Sequence, residues 1–221
     1  MIGRFLLDQF GTIMALSAIR ILLIRHGETD WNRMHRFQGR MDVSLNDKGR
    51  AQAEALASRL KEESLAAIYS SPLVRALETA EIIKAHHPTI PLFMEAGLAE
   101  MDLGKFDGMD AKQWAAQYPD FRELWQESPA SLKMPGGESL EDVQSRAIDT
   151  IERITQTYPL ESTLLFASHN FVIRAVLCHV LGKSLDQFRD LQQDTAALNI
   201  LYYQGAKWRA EEINDTSHLN S

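Results

Sequence analysis

Residues 19–29 read IRILLIRHGET, so the apolar-rich run Ile19–Ile24 passes directly into Arg25, His26, Gly27, Glu28 and Thr29. A run this short and this rich in β-branched residues reads as a strand buried on both faces. Open α/β sheets bind their ligands just beyond the carboxyl ends of their strands. Arg25 and His26 therefore stand where a ligand would sit, and Gly27 lets the backbone turn sharply or approach an anion closely. Thr29, Asn32 and the pair Gln38-Gly39 continue the polar stretch as a loop.

The same arrangement occurs twice more. A second strand over Ala66–Tyr69 is followed by Ser70-Ser71-Pro72-Leu73-Val74-Arg75. Pro72 opens a helix there, where its missing N–H costs nothing, and Arg75 falls one turn in. A third strand, Thr163–Ala167, ends in Ser168-His169-Asn170, and a helix over Phe171–Leu181 closes at Gly182.

Helical spacing fills the intervals. Ala53, Leu56, Ala57 and Leu60 form one apolar stripe after Asn46, and Leu73, Leu77, Ala80 and Ile83 form a second. Leu140, Val143, Ala147, Ile151 and Ile154 form a third after Pro135-Gly136-Gly137. Ala197–Tyr203 and Trp208–Ile213 read as a final strand pair around Gln204-Gly205. Strands alternating with helices predict a three-layer α/β/α sandwich with a mostly parallel sheet.

From Glu95 to Gly137 the pattern loosens into scattered glycine, proline and aromatic residues. This stretch, about 95–137, reads as an insertion over a site. Its aromatics Phe106, Trp114, Tyr118, Phe121 and Trp125 are expected to pack the insertion's own small core in preference to an apolar leaving group. The domain is expected over 19–213, with a polar, flexible tail over 214–221. Residues 1–18 form an extension whose apolar run is broken by Asp8 and Gln9, unlike a signal peptide, with Met14 as an alternative start.

Composition narrows the partners. The 221 residues carry a net charge of −7 and no dense Lys/Arg block, which argues against a nucleic-acid partner. No apolar run reaches membrane-spanning length, and the chain reads as cytoplasmic. Cys178 is the single cysteine, so neither an internal disulfide nor a thiolate zinc cluster can form. A homodimer is the oligomer to test for first.

Taken singly, each motif has a plain explanation. An Arg-His pair is ordinarily a surface feature, and Arg75 alone a solvated helix residue. Two histidines and a glutamate suggest a metal triad, but no HExxH-type spacing is present and arginine would oppose a nearby cation. The conjunction is what carries weight: three polar motifs, each ending a strand, all bear groups suited to an anion.

Leu23-Ile24-Arg25-His26-Gly27-Glu28-Thr29 strongly resembles the signature of the histidine phosphatase superfamily, the phosphoglycerate mutase-like family. Arg36-Phe37-Gln38-Gly39-Arg40-Met41-Asp42, Leu45-Asn46-Asp47-Lys48-Gly49, Ser70 through Ala80, Gly136-Gly137-Glu138-Ser139 and Ser168-His169 extend the resemblance from about Arg20 to Tyr203. It implies a phosphoglycerate mutase-like fold and a phosphatase that needs neither metal nor cofactor and acts on small phosphate esters. His26 would be the nucleophile, with Arg25, Arg75 and His169 around the phosphoryl oxygens. Glu100 would be the general acid, with Asp102 as runner-up. Asn32, Gln38, Gly39 and Asn170 would complete the phosphate site. Asn170 departs from the glycine common after the family's second histidine, which leaves substrate preference open.

The likeness is closest to broad-specificity and α-ribazole phosphatases. A cofactor-dependent phosphoglycerate mutase and a regulatory, phosphoprotein-directed or non-catalytic relative are the alternatives. A mutase needs further cations in the insertion, and this one offers only the isolated Lys105, Lys112, Arg122 and Lys133.

Overall fold

Alternate side chains of the first long strand enter two different cores, and that alternation sets the layers. The computed structural model describes residues 17–220 together with Leu6, Leu7, Ile13 and Met14. The expected extension over 1–18 therefore lies almost wholly outside the described residues. What is described there is an antiparallel pairing of β1 (Leu6–Leu7) with β2 (Ile13–Met14).

The main sheet contains β3 (Ile19–Arg25), β4 (Leu65–Ser70), β5 (Leu92–Met94), β6 (Thr163–Ser168), β7 (Leu198–Gln204) and β8 (Lys207–Asp215). Their order is β5-β4-β6-β3-β7-β8. The pairs β5/β4, β4/β6 and β6/β3 are parallel, while β7 is antiparallel to both of its neighbours. The sheet is mixed but mostly parallel, as the alternation of strands and helices predicts.

A short helix, α1 (Asp30–Arg33), follows β3, and α2 (Asp47–Leu60) starts at the Asn46 cap. Leu22 and Ile24 face α2 and α3 (Val74–Ala85), packing with Leu56, Leu60, Ala80 and Ile83. Ile21 and Leu23 face the opposite layer, among residues of α6 (Leu140–Thr155) and α7 (Asn170–Leu181) such as Val143, Ile151, Ile173 and Val176. Each fully buried Leu or Ile side chain contributes roughly 1.5–3 kcal/mol. The insertion carries α4 (Ala111–Gln117) and α5 (Pro119–Glu127). Phe106 there meets Trp114, Tyr118 and Phe121 edge-on, so these aromatics do pack on one another.

Sheet order gathers the site. In sequence β3 and β4 come first, yet β6 lies between them in the sheet. Pairing then continues past the strand ends: the His26 N–H donates to Ser168 O at 3.1 Å, and the Ser71 N–H donates to Ala167 O at 3.0 Å. Three polar tips are thereby held side by side.

Three expectations need correction. Pro72 precedes the cap residue Leu73, so Arg75 is the second residue of α3 and not one turn in. The Val74 N–H is instead taken by the Asp42 carboxylate at 2.7 Å. The buried face of α3 carries Arg75, Ala76, Thr79, Ala80 and Ile83, while Leu73 and Leu77 lie only partly buried. The polar tail is also tied down. β8 runs to Asp215, and a 3-10 turn over Ser217–Asn220 buries His218, whose Nε2 lies 3.1 Å from Ala196 O. Leu219 packs against the α2/α3 core and supplies the apolar anchor.

Candidate active site

His26 directly follows β3, is 2% exposed and lines a cleft of about 170 Å³. Its Nδ1 lies 2.7 Å from the Gly27 carbonyl. A carbonyl can only accept, so Nδ1 carries the proton and Nε2 keeps its lone pair. The Gly27 peptide is itself held, because its N–H donates to Thr79 Oγ1 at 3.1 Å and that hydroxyl donates to Arg75 O at 2.7 Å. Burial, followed by the charges of Arg75 and Arg25, holds the His26 pKa well below the ordinary histidine range. The ring is therefore neutral, with an unprotonated Nε2.

Two guanidiniums flank it. Arg75 is fully buried and donates through Nη1 to Met41 O at 2.8 Å and through Nη2 to Gly39 O at 2.9 Å. Arg25 donates through Nη1 to Gln193 O at 2.6 Å. Burial lowers both guanidinium pKa values to about 10, with Glu100 opposing the shift, and both stay charged near neutral pH. The Nε–H of each is buried without a protein partner, as is Nδ1 of His169. A buried unpaired donor costs about 1–3 kcal/mol, and a phosphoryl dianion offers the missing acceptors.

His169 caps α7 and is fully buried. Its ring centroid is 5.1 Å from that of His26, and its Nε2 lies 2.7 Å from Ser71 Oγ. It stands behind the cleft lining and not on it. Burial, then Arg75 and His26, push its pKa well down too.

Glu100 is 6% exposed and is the only carboxylate among the described residues lining this cleft. Its Oε1 accepts the Met101 N–H at 2.9 Å, and its Oε2 lies 3.4 Å from the Phe171 N–H. The runner-up Asp102 is not on the cleft, and its Oδ1 instead accepts the Gly104 N–H at 2.8 Å.

Asn32, Gln38, Gly39 and Asn170 all line the cleft. Asn32 Oδ1 accepts the Thr29 N–H at 3.0 Å, while Gln38 Oε1 accepts from the Thr29 hydroxyl at 3.0 Å, so neither bond uses an amide NH₂ group. Gly39 has φ +45°, which L side chains rarely adopt, and a Cβ there would lie 1.7 Å from Asp107 Oδ1, so a larger residue would be strained and would displace that carboxylate. Asn170 opens α7, whose N-terminal end favours anions.

Four lining residues have no counterpart among the predicted site residues: Arg36, Phe37, Leu103 and Phe171. Arg36 and Phe37 belong to the Gln38-Gly39 motif, and that adjacency was their signal. Leu103 and Phe171 reach the cleft only through the folding of the insertion and α7, which spacing does not reveal.

The profile of the histidine phosphatase superfamily (branch 1) matches residues 21–216. The chain belongs to this superfamily. Phosphoserine phosphatase 1 of Hydrogenobacter thermophilus is 33% identical over 202 residues, covering 91% of this chain and 94% of that one. The metal-independent phosphoserine phosphatase of Arabidopsis thaliana is 34% identical over 209 residues, covering 91% and 83% respectively. Among solved structures, Bacillus stearothermophilus YhfR superposes with a TM-score of 0.86 at 31% identity, covering 91% of this chain and all of that one. The family and the α/β fold implied by the strand-end motifs are thus established.

Proposed function

We propose that this family member hydrolyses small phosphate monoesters through a phosphohistidine on His26, without a metal. The observation that carries this reading is the locked imidazole: Nδ1 tied to Gly27 O, with the ring lining a cleft that Arg25 and Arg75 also line.

His26 Nε2 attacks phosphorus as the ester P–O bond breaks, roughly in line. Glu100 gives its proton to the leaving oxygen. Water then attacks phosphorus as the N–P bond breaks, gives a proton back to Glu100 and departs as phosphate, leaving His26 as it began. Arg25 and Arg75 hold the equatorial oxygens as charge redistributes, while His169, behind the lining, backs the His26 ring at 5.1 Å between centroids. Arginine suits this because its fork stays charged and is bidentate.

Hydrolysis is favoured over the mutase reading by the insertion. None of Lys105, Lys112, Arg122 and Lys133 lines the cleft. Lys105 instead covers the Tyr118 ring at 4.7 Å, and Lys133 lies 3.5 Å from Asp142. Phosphoserine is the first ester to try, given the names of the relatives. A cytoplasmic location and a homodimer belong to the same proposal. No helix among the described residues is long and apolar enough to cross a membrane.

The test is a rapid quench with ³²P-labelled ester in the presence of EDTA. We expect an acid-labile phosphoprotein in the wild type and none in His26→Ala. Turnover that survives in His26→Ala, or that EDTA abolishes, would overturn the reading.

A further inference from the structure

The Gly136-Gly137-Glu138-Ser139 motif is absent from the cleft wall, yet it grips the segment that carries Glu100. Arg146, on α6, forks onto Glu138: Nε donates to Oε1 at 2.8 Å and Nη2 to Oε2 at 3.1 Å. The same guanidinium donates through Nη1 to Gly97 O at 2.7 Å and through Nη2 to Glu100 O at 3.2 Å. Glu138 Oε2 in turn accepts the Asp102 N–H at 2.9 Å. The pair thus holds the chain on both sides of Met101.

Backbone contacts complete the grip. The Glu138 N–H donates to Asp102 O at 2.9 Å, and the Lys105 N–H donates to Pro135 O at 3.1 Å. A Cβ on Gly137 would lie 2.2 Å from Asp102 O, so the two backbones meet where only glycine fits. The Glu100 carboxylate takes its short hydrogen bond from the next peptide, Met101 N–H. Its aim is therefore the aim of the 100–102 backbone.

We propose that Glu138 and Arg146 are positioning residues for Glu100, an ion pair that fixes the proton donor by holding its main chain. The proposal rests on Glu100 being the proton donor. A misplacement of 1 Å at a reacting group can cost on the order of 100-fold in rate, so a remote pair can matter to chemistry.

Arg146→Lys keeps the charge and loses the fork; Glu138→Gln keeps the shape and loses the charge. In each, kcat for O-phosphoserine should fall by about tenfold or more, while kcat for p-nitrophenyl phosphate, whose leaving group needs little help, stays within about threefold. Adding Glu100→Gln to Arg146→Lys should cost no more than Glu100→Gln alone. Hydrogen exchange should quicken across amides 97–105 in both variants, with the sheet unchanged. Equal losses on the two esters, additive effects, or unchanged exchange at 97–105 would overturn the proposal. If the wild type released phosphate from no ester, the phosphatase reading would fall, and the exchange measurement would still decide whether the pair holds this segment.

Discussion

The imidazoles of His26 and His169 lie with ring centroids 5.1 Å apart and planes inclined at 56°, although they follow different strands, β3 and β6. Each is held by a neighbour from outside its own ring pair, Gly27 O for His26 and Ser71 Oγ for His169. Two imidazoliums at this spacing, with Arg25 and Arg75 beside them, would repel strongly in a water-poor site. Burial comes first and the arginine charges second in keeping both rings neutral.

That neutrality makes stability depend on pH. Unfolded histidine takes up a proton near pH 6.5, whereas His26 and His169 in the folded chain do so only at much lower pH. The unfolded state therefore binds more protons below about pH 6.5, and stability, fully present above it, declines as pH falls through it. Each group contributes a slope of at most about 1.4 kcal/mol per pH unit in that window. His218, lowered chiefly by burial, adds in the same direction. Urea unfolding at about pH 7.5 and about pH 5 should show the loss, and it should be smaller in His26→Gln. Native-state proton NMR should find no titration of either buried ring near 6.5; a midpoint there would contradict the neutral pair.

Arg75→Lys should separate charge from geometry. Lysine keeps a cation but cannot donate to Gly39 O and Met41 O while also presenting a planar fork. The rate of phosphate release should drop on the order of 100-fold. Stability should fall by about 1–3 kcal/mol from the orphaned carbonyls. Inhibition by inorganic phosphate should weaken as well. A lysine variant with near wild-type kcat/KM would mean the guanidinium only supports the loop over residues 39–41.

The strand ends were readable because a buried strand leaves a continuous apolar run, and Arg25-His26, Ser70-Ser71 and Ser168-His169 break such runs abruptly. The order of the strands was not, since nothing in a run says that β6 slips between β3 and β4. Helix α3 shows where periodicity misleads. It counts apolar side chains and so favours Leu73 and Leu77, but the helix turns inward on Arg75 and Thr79, whose side chains hydrogen-bond Gly39 O, Met41 O and the Gly27 N–H. His169 stood out in the sequence as the break after an apolar run, while its place behind the cleft wall did not. The ordered 217–220 turn was hidden because one buried histidine and one leucine carry no period.

Gly27→Ala tests how tightly the nucleophile loop is packed. A Cβ at residue 27 would lie 2.3 Å from Gly49 O, and one at residue 49 would lie 2.0 Å from Glu28 O. Both obstacles are backbone, so no side chain can swing aside. The Gly27 peptide would have to move, and it is the same peptide that holds His26 Nδ1. We expect a destabilisation of about 1–3 kcal/mol by urea titration. The folded fraction should also lose turnover, because the imidazole is released. A variant as stable and as active as wild type would show that Gly27 is chosen for something other than this contact.

Glu100→Gln and Asp102→Asn together assign the proton donor. Glu100 is 6% exposed on the cleft, whereas Asp102 lies off it and spends Oδ1 on the Gly104 N–H. Glutamine fills the same space and accepts the Met101 N–H through its carbonyl, but it has no acidic proton to give. An alkyl ester, whose leaving oxygen must be protonated, should slow by about 100-fold or more, while p-nitrophenyl phosphate slows far less. The variant should therefore steepen the dependence of kcat on leaving-group pKa. Asp102→Asn should lower both rates equally and modestly, as the loss of a turn contact does. If the two variants exchanged these signatures, the proton would come from Asp102, and the cleft would have to rearrange on binding substrate to bring it in.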